Sequence, residues 1–389
     1  MTDIPLSQPD ITDLEVEAVV SVLRSSRLSL GPRMEEFEAL VAAYIGVPHA
    51  LAVSSGTAGL HLCLCAMDIG AGDEVIVPSF TFIAAANAIR YVNAVPVFID
   101  IEPATLNLDP AQIERAITAR TRAIMVVHTF GIPAGMNQIL EIARKHKLRI
   151  IEDACEAIGA SYNGQRVGSF GDASVLAFYP NKQITTGEGG MVLTRDADLA
   201  REIKALRNQG RYDSDDWHQH SILGYNYRLS EMNCALGCAQ MHRLESILED
   251  RETSARRYEQ LLSGNPALIP PPSALQHKRI SWFVYVVRLA ARFTQTDRDA
   301  VVVKMRERGI QCGRYFAPIH AQPAFSQIPT RFPLPVTEAE SQRTIALPFF
   351  TRMIDQQIEA VSRSLLDAIS SVRRPSIASS RRSVQQADV

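Results

Sequence analysis

Apolar positions early in the chain recur with a helical period. Val16, Val19, Val20 and Leu23 fall at i, i+3, i+4 and i+7, and Thr12 with Glu15 fits a capping box at the start of that helix. Phe37, Leu40, Val41 and Tyr44 repeat the spacing, and Gly46 stops the second helix. From about residue 50 the pattern changes to short continuous apolar runs: `HALAVSS`, `DEVIVP`, `VPVFID`, `AIMVVH`, `LRIIEDA`, `ASVLAF` and `GMVLT`. Such runs are expected of parallel strands buried on both faces. Helical stripes lie between several of them, the clearest being Met136, Ile139, Leu140 and Ala143 before `KHK`. The alternation up to about residue 195 predicts an α/β fold with a mainly parallel sheet covered on both faces.

The pattern then turns helical from Ser230 to about Leu262, and `GNPALIPPPS` reads as a linker. `SWFVYVVRLA` predicts a strand, followed by a helix near Thr296–Arg308. These features divide the chain into a large domain over 1–250, with an N-terminal helical segment, and a smaller C-terminal α+β domain over 251–370. Residues 371–389 carry four arginines but no apolar period, and a disordered tail is expected there. No internal repeat is visible.

At 389 residues the chain is too long for one simple core. Its formal charge of −2 argues against a nucleic-acid partner. No apolar run reaches membrane-spanning length, and the polar start `MTDIPLSQPDITDLE` lacks a signal-peptide core, so no membrane association and a cytoplasmic location are expected. The six cysteines have no C-x-x-C spacing and no Cys/His cluster suits zinc, so neither a metal site nor disulfides are expected.

Four features fall at predicted strand ends, where open α/β sheets bind ligands. In `SSGTAGLHL` a strand turns into a helix. Gly56 permits close backbone approach and Thr57 adds a hydroxyl, so the helix start could hold an anion; a plain strand-to-helix turn is the competing reading. Asp153 ends the apolar strand of `IIEDACEAIGA`, where a carboxylate needs a cation, a donor or a helix to cap. `VPSFTFIAAANAI` projects two aromatics from a turn, either core residues or a ring stacker. In `FYPNKQITTGEGG`, Lys182 sits between an apolar strand and a glycine-rich loop; it is either a surface charge or a desolvated amine nucleophile. An anion cradle, a stacker, an acid for a ring nitrogen and an amine for an aldehyde are together what pyridoxal 5′-phosphate (PLP) requires.

The motifs `LGPRMEEFE`, `VSSGTAGLHL`, `VIVPSFTFIAAANAI`, `VHTFGIPAGM`, `IIEDACEAIGASYNGQRVGSFGDA`, `FYPNKQITTGEGG`, `LGYNYRLSEMNCALGCAQ` and `RYFAPIHAQPAF` resemble those of the DegT/DnrJ/EryC1/StrS sugar aminotransferases. The resemblance runs from about Pro5 to Ile369. It implies the type I PLP-dependent transferase (aspartate aminotransferase-like) fold, with a mainly parallel seven-stranded sheet. It implies that Lys182 is the Schiff-base lysine and Asp153 the partner of the pyridine nitrogen. Gly56 and Thr57 match phosphate binders, Phe82 the ring stacker, and Asn226 a residue that reaches the phosphate from a neighbouring subunit, so a homodimer with shared active sites is expected. Tyr315 and His320 match a segment bordering the substrate. Arg228 is either a candidate for nucleotide phosphates or one partner of a structural salt bridge.

Three positions depart from the family pattern. Ala177 stands where many relatives have a phosphate-contacting serine, Glu156 where many have glutamine near the cofactor's ring hydroxyl, and Gly135 where many have aspartate. A charged Glu156 would repel a phenolate, so it is expected to be protonated or turned away. Lys182 argues against the dehydratase branch, which has histidine there, and `TTGEGG` looks more like the enzymes that aminate C4 of the sugar than C3. The implied activity is transamination of a nucleotide-linked keto sugar, with L-glutamate as amino donor, feeding a surface polysaccharide or a glycosylated metabolite. Two alternatives stand beside it: a PLP-binding regulator or sensor without turnover, and another type I PLP enzyme acting on amino acids. The absence of a cysteine in an obvious mobile catalytic loop weighs against the second.

Overall fold

A computed structural model describes residues 3–372; the expected tail lies outside the described residues from 373 onward. All seven predicted strands form one sheet: β1 (His49–Val53), β2 (Glu74–Pro78), β3 (Val95–Ile99), β4 (Thr121–Val127), β5 (Arg149–Asp153), β6 (Ala173–Ala177) and β7 (Gly190–Thr194). Their order is β1-β7-β6-β5-β4-β2-β3. Only β7 runs against its neighbours, β1 and β6; the remaining pairs are parallel. The continuous apolar runs are explained by burial on both faces. Val75, Val77, Met125 and Ile151 pack in one core, and Ile76, Ile124, Val126 and Ile150 in another.

A three-stranded antiparallel sheet, Leu268–Ile269, Tyr285–Leu289 and Thr344–Leu347, forms a second centre of packing. Its core is built around Tyr258, Tyr285, Val301 and Phe349. The predicted helical stretch after Ser230 is two helices, Glu231–His242 and Leu244–Leu262, meeting at Arg243. The second joins the two cores. Leu244, Ile247 and Leu248 pack with the large-sheet elements, and one or two turns later Ala255, Tyr258 and Leu262 pack with the small sheet.

The N-terminal helix, Asp13–Leu23, has the predicted capping box, with the Thr12 N–H donating to Glu15 at 2.7 Å. Its apolar stripe does not face the core. Val16 and Leu23 are exposed, while Glu15 is buried and accepts hydrogen bonds from Gln240 (2.9 Å) and Arg243 (2.7 Å).

Candidate active site

The C-terminal ends of five strands, β1, β2, β4, β5 and β6, converge on one cavity of about 620 Å³. Gly56, Thr57, Phe82, Asp153, Glu156, Lys182 and Tyr315 all line it.

After β1 the chain enters the helix Gly56–Ala66, capped by Ser55, whose Oγ accepts the Ala58 N–H at 3.1 Å. The first-turn N–H groups of a helix have no intrahelical acceptor and carry the positive end of its dipole. The absence of a side chain at residue 56 is a packing requirement. A Cβ there would lie 2.8 Å from Ala177 Cβ and 2.9 Å from Cys155 Sγ, so glycine lets the helix start sit against β6. Phe82, on the loop after β2, is 59% exposed, a high value for a large apolar ring bordering a cavity.

Asp153 ends β5 and is 7% exposed. Its Oδ1 accepts the Cys155 N–H at 3.2 Å. Lys182 follows β6 by five residues and is largely buried: its Nζ lies 4.0 Å from the centre of the Phe283 ring and 3.6 Å from Glu156 Oε1. The surface-charge reading of Lys182 therefore fails. Glu156 is not turned away, because one oxygen faces Lys182 and the other accepts the Phe130 N–H at 2.9 Å. Burial pushes its carboxyl above the usual carboxylate range, against the opposing pull of Lys182. Burial, with nearby Glu156 adding to it, also raises the Tyr315 hydroxyl. The glycine-rich loop closes back on β6: Thr186 N–H and Thr185 Oγ1 donate to the Phe178 carbonyl, at 2.9 and 3.0 Å.

Three candidate residues lie outside the lining of this cavity. His320 Nδ1 is 2.7 Å from Ser79 Oγ, on the loop that carries Phe82, so it braces that loop. Asn226 is exposed and bridges to Asn208, and Arg228 donates to Asn208 Oδ1 at 3.0 Å. Burial and the charges of Arg211 and Arg207 lower the Arg228 pKa from its ordinary value. Conversely, Tyr179, Asn181, Glu188, Phe283, Arg314 and Phe316 line the cavity without having been singled out. Asn181, Tyr179 and Glu188 flank Lys182 in sequence, and Arg314 and Phe316 flank Tyr315, so proximity was their signal. Phe283 sits inside an apolar strand motif and had none.

The lining fits pyridoxal phosphate. A recessed amine, a strand-end carboxylate, a helix start kept open by Gly56 and an aromatic ring border one space. Asn181 also brings a buried side-chain oxygen with no protein hydrogen-bond partner. Ala177 brings no hydroxyl to the lining, leaving the Thr57 side chain and the main-chain N–H groups as donors at the helix start.

Residues 9–366 match the family described as the DegT/DnrJ/EryC1/StrS aminotransferase family. A GDP-perosamine synthase from Caulobacter vibrioides is 41% identical over 371 residues, 94% of this chain and 99% of the relative. A UDP-N-acetyl-3-dehydro-α-D-glucosamine 3-aminotransferase from Acidithiobacillus ferrooxidans is 39% identical, over 93% and 95% of the two chains. Among solved structures, Spr1654 of Streptococcus pneumoniae in its PLP form is 26% identical with a TM-score of 0.91, covering 96% of this chain and 100% of that one. Helicobacter pylori PseC, an aminotransferase in pseudoaminic acid biosynthesis, is 28% identical with a TM-score of 0.90, over 95% and 100%.

Proposed function

This chain belongs to the DegT/DnrJ/EryC1/StrS aminotransferase family, a family of PLP-dependent sugar aminotransferases, and we propose that it moves an amino group from L-glutamate to C4 of a nucleotide-linked keto sugar. The observation that carries the reading is the convergence of Lys182, Asp153 and the Gly56–Thr57 helix start on one cavity.

When bound, the cofactor supplies an aldehyde that takes up the amino group and a ring that withdraws electrons from the bond being broken. Lys182 Nζ would hold the cofactor's aldehyde carbon and, as a free amine, would serve as the base that moves the proton at the substrate carbon. Asp153 holds a proton on the ring nitrogen. Gly56 and Thr57 donate main-chain N–H groups to the phosphate. Phe82 covers one face of the ring and excludes water. Burial pushes the Glu156 carboxyl above the usual carboxylate range, which favours a proton there over a charge that would repel the ring hydroxyl. Tyr315 borders the sugar, and His320 acts by bracing the Phe82 loop through Ser79.

We place Asn226 and Arg228 in the active site of a second copy, because neither lines the cavity of its own chain. A covering surface is at hand. Leu28 and Leu30 are exposed, and their segment pairs with Ser230 next to this loop, while Leu223 is 88% exposed. Large exposed apolar groups of this kind mark interaction sites. Arg228 would then meet the nucleotide phosphates.

The donor and acceptor assignments are tested by incubating holoenzyme and L-glutamate with GDP- and UDP-linked 3-keto and 4-keto sugars and locating the new C–N bond by NMR. Amination at C4 is expected. Amination at C3 alone would overturn the regiochemistry while leaving the transaminase assignment in place.

A further inference from the structure

Behind Lys182 the protein buries an arginine with an unusual set of partners. Arg251 is 1% exposed and lies where the helix Leu244–Leu262 passes from one core to the other. Its Nη1 donates to the carbonyls of Trp282 (3.3 Å) and Phe283 (3.2 Å), and its Nη2 donates to the carbonyl of Lys182 itself (3.3 Å). These three acceptors are carbonyl dipoles; no carboxylate is among them. Burial pushes its pKa down to about 10, which leaves it charged at neutral pH. The charge of Asp10 and the Phe349 ring, 5.5 Å from the guanidinium, add support, but all three hydrogen-bond acceptors are carbonyls; a fully buried cation held this way is expensive for a fold, so its placement calls for a role.

Its partners indicate what that role is. The ring of Phe283 is the surface on which Lys182 Nζ rests, 4.0 Å away. A second tie runs beside the first. Gln183 Nε2 donates to the Glu156 carbonyl (2.7 Å), to Ser281 Oγ (2.8 Å) and to the Ser281 carbonyl (3.2 Å). Lys182 and Gln183 are therefore stitched to residues 281–283 by two side chains, and the amine is aimed between the Phe283 ring and Glu156.

We propose that Arg251 is a positioning residue for Lys182: its fork locks the lysine's main chain to the Phe283 segment and so sets where the amine points. It does not line the cavity and acts only through Lys182 and Phe283. The planar fork is needed because a lysine ammonium is a single point and cannot span three separated carbonyls. The inference rests on Lys182 being the cofactor amine.

The test uses the full-length chain freed of cofactor, with R251K, R251M, F283L and the double variant R251K/F283L. The probe is pyridoxal phosphate. Its capture is followed by growth of the visible band, then borohydride reduction and peptide mass mapping, with K182A as control. Melting temperature is recorded for each. Displacing an amine by a fraction of an ångström should slow capture by about tenfold in R251K and similarly in F283L. The double variant should be no slower than the slower single one, because both act on the same contact. If R251K, or a folded R251M, captures within about twofold of wild type, or if the two single effects multiply, the inference is overturned. Should R251M fail to fold, R251K decides. An adduct mapping to a residue other than Lys182 would overturn the Lys182 assignment and this inference together, whereas a Lys182 adduct formed at wild-type rate in R251K overturns this inference alone.

Discussion

Replacing Gly56 by alanine tests whether the helix start is the phosphate site and whether its closeness to β6 matters. The new Cβ would stand 2.8 Å from Ala177 Cβ and 2.9 Å from Cys155 Sγ. An ordinary contact between carbon atoms is about 3.5–4.0 Å, so the shortfall is roughly 0.7 Å. Ala177 is on a central strand with nothing to rotate, so the helix start must move. Overpacking of this kind costs about 1–3 kcal/mol. The alanine recovers at most about 1 kcal/mol of helix propensity. Net destabilisation of roughly 1–2 kcal/mol is expected. The effect on the cofactor should be larger. A donor displaced by about 0.7 Å stretches a hydrogen bond of about 2.9 Å to about 3.6 Å, where it is lost. A hydrogen bond to a charged group contributes about 1.5–3 kcal/mol, so the dissociation constant of pyridoxal phosphate should rise by roughly ten- to a hundredfold. The assay is an absorbance or fluorescence titration at a temperature where both proteins are folded, with Tm measured separately. Removing one of the two clashing atoms, as in G56A/A177G, should restore part of the affinity. A dissociation constant within about twofold of wild type, in a folded G56A protein, would refute the reasoning.

Two further outcomes are expected. Ala177→Ser should restore a hydroxyl near the phosphate and tighten pyridoxal phosphate by about three- to tenfold, the worth of roughly one hydrogen bond; unchanged affinity would mean the site has already replaced that contact. Burial alone would raise the Glu15 carboxyl, but hydrogen bonds from Thr12, Gln240 and Arg243 outweigh it and hold the group down at about 2. A folded-state pKa below the unfolded one contributes stability above the unfolded value, about 4.5, and loses it as pH falls toward 2. Wild type should therefore lose on the order of 2 kcal/mol across that window, and E15Q should be less stable at pH 7 with a flatter melting-temperature profile; parallel profiles would contradict this.

Much of the fold was legible because burial on both faces leaves a plain mark: all seven strands of the large sheet are short apolar runs. The first helix shows where that logic stops. Its periodic apolar positions, Val16, Val19, Val20 and Leu23, have the spacing of a core stripe, yet the buried positions are Val22 and Glu15, and the Glu15 partners Gln240 and Arg243 lie more than two hundred residues away. Nothing local could reveal them. The same contrast holds at the site. Lys182, Asp153 and Gly56 announce themselves because each sits at a strand end with a chemistry the strand does not need. Phe283 and Arg251 do not, since an apolar residue in an apolar run leading into a strand and an arginine on a helix are the commonest things for such segments to contain. Their role comes from a long-range approach, Arg251 to the Lys182 carbonyl and Phe283 to its amine. Asn226 was legible only through resemblance and Arg228 only as a candidate basic group, and neither lines the cavity of its own chain.

The most direct test of the central claim is a half-reaction. Purified protein is loaded with pyridoxal phosphate and mixed with L-glutamate in the absence of any sugar, with K182A alongside, and the cofactor's visible band and the released 2-oxoglutarate are followed together. The account predicts loss of the band as the cofactor passes to its pyridoxamine form, with one 2-oxoglutarate formed per site and K182A silent. A wild-type band that persists through a panel of amino donors, with no keto acid released, would contradict it and leave a cofactor-binding protein without turnover.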